Sequence, residues 1–581
     1  MASDEKSFAR VSNHKRLNVG IVGGGIAGLY TALCLQREGH RVHIFEGTER
    51  IGGRVHTHYF TLGRDQYYEA GAMRIPDNKF QSIFFALVRY VNANRRLPRE
   101  KHIDLIKYIL STNNNLVYVG GVRPQVTAAA TTPATLNWPD IPDQYRDISA
   151  GDLLKTAVGR LIDDLNNADD FEKAFWYIVD KFDHFTFRYY CVNAVGWNNS
   201  LVDFVETMAS QTNQFNLSVP ELVMQSLDFG VTDWKTIEGG MSRLPEAMAH
   251  LVGHLVGLKN ITFGARTCFD RVVLAIPPAA LRMIVDRRRW GLQKEMAIRA
   301  LHFEPLYKMG LRFKRRFWEQ VTPRPSVGGQ STTDLPIRWI VYPSNGVPPT
   351  ASPDTPGVLS WMTDATNWLP LSPLERRNVA LNCLAEVYNN QRDQSGRLIN
   401  VHDLYIESAD HVWASSTATG DAMLLPGQFE EHFKVARQPE GPVYFAGEHL
   451  SFHHTWIAGA AYSALKVPFH FRPYESVFLS QLGHPSSATT PAIGSPPPYK
   501  YCPGSVLHSW PPHGFYKPGE GPASGHEGPR SRGSPEDESK DVQRLPCSLG
   551  MLDKNALGVV CSKMTSFNAV ASWTMGQVEL S

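Results

Sequence analysis

The chain has 581 residues, 43% of them hydrophobic and 11% aromatic, too long for one core and apolar enough for about two to four packed domains. Its formal net charge of +2 leaves no cationic surplus to displace counterions, which excludes nucleic acid as the main partner. The seven cysteines are scattered and odd in number, without C-x-x-C spacing, so neither a metal site nor a disulfide framework is expected and a reducing, cytoplasmic location is.

The first residues, MASDEKSFARVSNHKRLN, carry charges and no apolar h-region, so no secretory signal is expected. No run of about 18 apolar residues occurs anywhere, so no membrane span is expected either. From Leu17 to Glu46 the pattern is specific. Val19, Ile21 and Val22 predict a buried parallel strand that enters Gly23-Gly24-Gly25-Ile26-Ala27-Gly28, a G-x-G-x-x-G match at Gly23, Gly25 and Gly28. A helix is predicted from Ala27 to Glu38, then a second strand from Val42 to Phe45 that ends on Glu46, 18 residues past Gly28. Gly23 allows the tight turn, Gly25 admits a pyrophosphate and Gly28 lets helix and strand approach. The helix N-terminus offers free N–H groups to phosphates, and Glu46 offers a carboxylate to ribose hydroxyls. This is a dinucleotide-binding unit.

Next come Gly52-Gly53-Arg54, where Arg54 is either a phosphate clamp or a solvated turn residue, and Gly71-Ala72-Met73-Arg74, small residues suited to lie against a flat ring system. The glycine-rich unit with Glu46, then GGR, then GAMR, resembles the flavin-containing amine oxidase superfamily. GAMR is most similar to its L-amino-acid oxidases, the fungal ones in particular. Later stretches agree: Glu238–Pro245 (EGGMSRLP), Val272–Pro278, Thr333–Arg338, and Val443–His449 followed by Trp456–Ala460. The resemblance runs from about Leu17 to Leu465.

The resemblance implies an α/β plus α+β architecture: a Rossmann-like FAD-binding domain, an interrupted substrate domain and a helical insertion. The boundaries expected are 17–71, 236–300 and 439–468 for FAD, 72–140 and 301–438 for substrate, and 141–235 for the helical domain. Leu153, Leu154, Val158, Leu161 and Ile162 recur at helical spacing inside that insertion. Residues 1–16 form an arm. The stretch Phe471–Gly550 holds 14 of the chain's 39 prolines, so 469–581 is expected to be a disordered tail. From Val341 to Leu359 the crowded prolines predict a loop.

The activity implied is hydride transfer from the Cα of an L-amino acid to FAD, with dioxygen as second substrate, giving a 2-oxo acid, ammonia and hydrogen peroxide. A homodimer is an assembly the resemblance allows. An amine or polyamine oxidase, or a non-catalytic descendant used as an interaction module, are the alternatives. A planar guanidinium at Arg74 suits a carboxylate, which an amine lacks, although a structural salt bridge also accounts for such a residue. The family position of a lysine holding water near the flavin falls on Lys308, which on its own reads equally as a snorkelling side chain. Glu448 is expected on ribityl or ribose hydroxyls, and Trp456 along the substrate slot. Ile457 and Ala458, like Gly53, Ala72 and Met73, are expected beside the flavin. His449, His453 and His454 are expected to be turn or surface residues, since hydride transfer needs no histidine.

Two departures from the family pattern stand out. Only Cys268-Phe269-Asp270-Arg271 separate Thr267 from Val272 where the family has a strand and hairpin, which puts sheet coverage and FAD affinity in question. A tyrosine that assists the substrate arginine is also lacking. Leu359 falls nearest to its position, and Tyr342 is the substitute expected in its place.

Overall fold

The computed structural model describes residues 16–471, apart from 64, 125–126, 128–129, 210–213, 254–255, 259–267, 345–351 and 415–418. The expected arm up to residue 15, the tail beyond Phe471 and the position of Thr267 lie outside the described residues.

The apolar strand Asn18–Val22 sits in the middle of a five-stranded parallel sheet. Arg41–Glu46 and then Val256–Leu258 lie on one side of it, Arg271–Leu274 and then Val443–Phe445 on the other. Val19 and Ile21 are fully buried, as strands covered on both faces require. The helix Ile26–Arg37 makes the crossover between the first two strands, and its buried residues run from Ile26 to Leu35. One residue of the shortened stretch has a clear packing role. Phe269 lies against Gly20, with its ring centre 5.7 Å from Phe45 and 5.9 Å from His43.

A six-stranded mixed sheet runs Tyr405–Trp413, Leu306–Phe313, Gly357–Asp364, Trp339–Val341, Gln330–Thr333 and Val117–Tyr118. The predicted loop at 341–359 therefore gives way to a strand at Gly357. Side-chain alternation divides this sheet's functions. Tyr307, Met309, Leu311 and Phe313 enter a core with Leu359, Trp361 and Trp368. Lys308 and Arg312 point the other way, to the carbonyl oxygen of Gly71 and the amide of Gln66.

The insertion is helical, and its ends are set by short polar caps. Ser149, Asp170 and Asn198 accept the backbone N–H groups of Asp152, Lys173 and Leu201 and start the helices Ala150–Asn167, Phe171–Phe182 and Asn199–Met208. Its last helix, Val219–Phe229, is buried along almost its whole length. A short strand, Trp234–Ile237, then joins Ile75–Pro76 and Leu105–Lys107 in a small sheet.

Candidate active site

The phosphate end of the site is built by backbone. Gly23 has φ +108°, and a Cβ there would lie 2.5 Å from the carbonyl oxygen of Ala275; a Cβ on Gly28 would overlap the carbonyl oxygen of Gly23. The helix Ile26–Arg37 begins at Gly25 with no side-chain cap and no acidic residue in its first turn, so its N-terminal N–H groups suit a phosphate. Gly25 pairs with Gly52 in a parallel bridge, and Gly52 donates to the carbonyl of Gly24 at 2.9 Å, which brings the GGR loop alongside the cradle. The Glu46 carboxylate accepts from the backbone of Gly24 at 2.7 Å and of Thr48 at 2.9 Å. That fixes the acid beside the glycine loop.

GGR and GAMR run side by side. Gly71 donates to the carbonyl of His56 and Ala72 to that of Arg54. Arg54 reaches Glu448, far along the sequence, at 2.6 Å and the carbonyl of Gly420 at 2.8 Å. Glu448 also accepts the N–H groups of Ala422 and Thr455. Burial alone would raise this carboxyl, but the Arg54 guanidinium first, then His454, His449 and the Thr455 N–H, hold it down at about 2. The glycine cradle and the uncapped helix offer N–H donors and this anchored carboxylate an acceptor, as an adenine dinucleotide needs, so the residues present fit FAD.

Lys308 lies across from this loop, 6% exposed, with Nζ 2.5 Å from the Gly71 carbonyl and 3.4 Å from Met73 Sδ. Burial and the neighbouring Arg74 push its ammonium down to about 8. A lowered lysine pKa means that the fold disfavours the charge. The penalty is present in full below about pH 8 and fades as pH rises toward the ordinary value of 10.5. Lys308→Met in the cofactor-free protein removes about 3 kcal/mol of that penalty and loses a buried hydrogen bond worth about 1–2 kcal/mol. The expected result is a melting temperature at pH 7 equal to or above wild type, converging with it by about pH 10; the FAD-loaded variant is expected to oxidise substrate more slowly. A fall in melting temperature at pH 7 would count against the burial penalty.

Arg74 is buried at 6% exposure inside an aromatic cage. Its guanidinium carbon lies 5.1 Å from the ring centre of Phe229, 5.5 Å from Trp339, 5.8 Å from Trp234 and 5.9 Å from Tyr108. Its Nη1 donates to the side-chain oxygen of Gln330 at 3.0 Å. Among the described residues no carboxylate comes within ion-pair distance of it. Trp456 joins the same group, 5.9 Å from Phe229 and 6.0 Å from Trp234 between ring centres. Ile457 and Ala458 follow it, buried, at the start of the last helix.

Tyr342 does not join them, and its expected role is corrected. Gln330 and Trp339 face Arg74. Tyr342 lies on the opposite side of the sheet, where its hydroxyl bonds Ser331 at 2.7 Å and Tyr388 at 2.5 Å within the hydrophobic core. Leu359 belongs to that same core. For the histidines the surface half of the expectation is corrected, while His454 does stand in a turn. His449, His453 and His454 are 4%, 6% and 4% exposed, so none is a surface residue. Tyr108, Phe229, Trp234, Gln330 and Trp339 were not foreseen, because aromatic residues scattered over four segments carry no local pattern that separates a cage from a core.

Among the described residues no cluster of His, Cys, Asp or Glu suits a metal ion, and no helix is long and apolar enough to cross a membrane. Residues 26–467 match the family model described as flavin containing amine oxidoreductase. The chain is 30% identical to a Dictyostelium discoideum protein assigned as a bifunctional amine oxidase, over 82% of this chain and 48% of that one, so it spans about half of that relative's length. It is 29% identical to L-amino-acid oxidase 4 of Hebeloma cylindrosporum, over 78% of this chain and 81% of the relative. In structure it is similar to a putrescine oxidase bound to putrescine, with TM-score 0.60 and 16% identity, covering 79% of this chain and 99% of that one. A cyclohexylamine oxidase from Brevibacterium oxydans gives TM-score 0.57 at 17% identity, over 78% of this chain and 98% of the other.

Proposed function

The chain belongs to the flavin containing amine oxidoreductase family, with FAD as its cofactor, and we propose that within this family it is an L-amino-acid oxidase. The observation that carries this reading is Arg74, a buried cation whose polar partners are uncharged, the Gln330 amide oxygen and the Tyr108 hydroxyl, and whose walls are aromatic faces. A buried charge without an opposite charge is costly, and a carboxylate meeting the guanidinium with two parallel hydrogen bonds supplies what the fold withholds. An amine substrate has no such group. The relatives named as L-amino-acid oxidases support the same substrate class.

Held by the glycine cradle, Glu46 and Glu448, FAD would supply a hydride acceptor for the substrate carbon and a route for its electrons to dioxygen, giving hydrogen peroxide. The chain's own residues do the rest. Arg74 binds the substrate carboxylate and so fixes the orientation of Cα. Phe229, Trp234 and Trp456 wall the slot with apolar surface, which keeps bulk water from the reacting carbon. Lys308 spends two of its three N–H donors on Gly71 and Met73 and offers the third to a water beside the ring. The imino acid product takes up water and releases ammonia, leaving the 2-oxo acid.

A peroxide-release screen of the FAD-loaded protein over the common L- and D-amino acids, diamines and cyclic amines tests the substrate class. Peroxide from L-amino acids and none from putrescine is expected. Peroxide from amines alone would overturn the reading.

A further inference from the structure

Two buried histidines that the oxidation does not use precede Trp456. His454 Nδ1 lies 2.8 Å from a carboxylate oxygen of Glu221, which also accepts the N–H of Leu424 at 2.9 Å. His453 Nδ1 lies 3.7 Å from Asp228, within ion-pair reach but beyond a hydrogen bond, and the other oxygen of Asp228 accepts from Asn78 and Gln81, each at 3.2 Å. Glu221 and Asp228 stand seven residues apart on the helix Val219–Phe229. That is about two turns, so both project from one face. Each imidazole is also held by a ring. His454 stacks on Phe429 at 5.5 Å and 11°, and His453 on Phe171 at 5.8 Å and 18°.

Between His454 and Trp456 stands Thr455, with φ +72°. A β-branched residue in the left-handed region is strained and persists only where its surroundings over-determine it. Here the His454–Glu221 hydrogen bond and the ring stacks of both imidazoles hold the residues before it, while its own N–H is fixed on Glu448 at 3.0 Å. The same helix ends at Phe229, which touches the Arg74 guanidinium and the Trp456 ring. One element thus supplies both the grip and a wall of the slot.

We propose that the Glu221–His454 and Asp228–His453 pairs form a clasp through which the helix Val219–Phe229 sets the position of Trp456, which makes Glu221 and His454 positioning residues for substrate binding. The inference rests on Trp456 lining the substrate slot, and it holds for an amino acid or an amine alike. Its test therefore uses whichever substrate the peroxide screen identifies, and a failure of the amino-acid reading leaves it standing.

The test compares Glu221→Gln with Thr455→Gly in the FAD-loaded full chain. For Glu221→Gln, amide hydrogen exchange across 454–458 is expected to quicken about tenfold. KM is expected to rise about tenfold, with kcat within about twofold and FAD content unchanged. Thr455→Gly leaves both pairs in place and relieves the strain, so KM is expected to rise while the melting temperature stays level or increases. Unchanged exchange in Glu221→Gln, or faster exchange with KM unchanged, would overturn the clasp. If Glu221→Gln does not accumulate as folded protein, an unchanged KM in Thr455→Gly overturns it alone.

Discussion

Arg74→Ala is expected to cut kcat/KM on the preferred amino acid by roughly a hundredfold to a thousandfold while the protein keeps its FAD. Truncating one partner of a buried, hydrogen-bonded charge pair costs about 2–5 kcal/mol, and each 1.4 kcal/mol is about tenfold. The loss falls on the substrate because Arg74 bonds Gln330 and stacks in the cage, while the phosphate cradle is held by other residues. Arg74→Lys should recover only part of it, since an ammonium is a point charge without the planar fork. Steady-state peroxide assays with a parallel flavin spectrum check both. An unchanged kcat/KM for amino acids would remove Arg74 from the role of carboxylate anchor.

Arg54→Met is expected to empty the protein of FAD and destabilise it by about 3–5 kcal/mol, because it strands the buried Glu448 carboxylate. The pH dependence gives a second signature. Glu448 is held at about 2, below its unfolded value of 4.5, so its contribution is complete above about pH 4.5 and is lost as pH falls toward 2. The variant lacks that contribution, and its stability curve below pH 4.5 should be flatter. Adding Glu448→Gln to Arg54→Met removes the stranded charge and should restore most of the melting temperature, though not FAD binding. If the double variant melts as low as the single one, the charge pair is not what holds this junction.

What could be read from the sequence follows from how far each signal extends along the chain. The glycine cradle, Glu46 and the helix behind it lie within one continuous stretch in which every residue type answers a local demand. The Arg54–Glu448 pair spans 394 residues, and only the resemblance placed its two halves in one site. The cage around Arg74 was not legible at all. Tyr108, Phe229, Trp234 and Trp339 come from separate segments, and each alone looks like core. Tyr342 failed for a different reason. The crowded prolines read 341–359 as a loop, and a loop residue carries no alternation to say which face of a sheet it joins. The burial of His453 and His454 was missed because the carboxylates beside them, Asp228 and Glu221, lie more than 200 residues away in sequence.

The order of strands in the parallel sheet has a consequence for biosynthesis. Its central strand is made first, yet the backbone N–H of Asn18 meets Asp270 across 252 residues, and the edge strand Val443–Phe445 arrives near the end of the described chain. A nascent chain therefore carries an unfinished sheet edge through most of its translation, and closing such long loops is slow. Glu448 and Trp456 emerge later still, so the Arg54–Glu448 junction and the aromatic wall at Trp456 assemble only after most of the chain has been made.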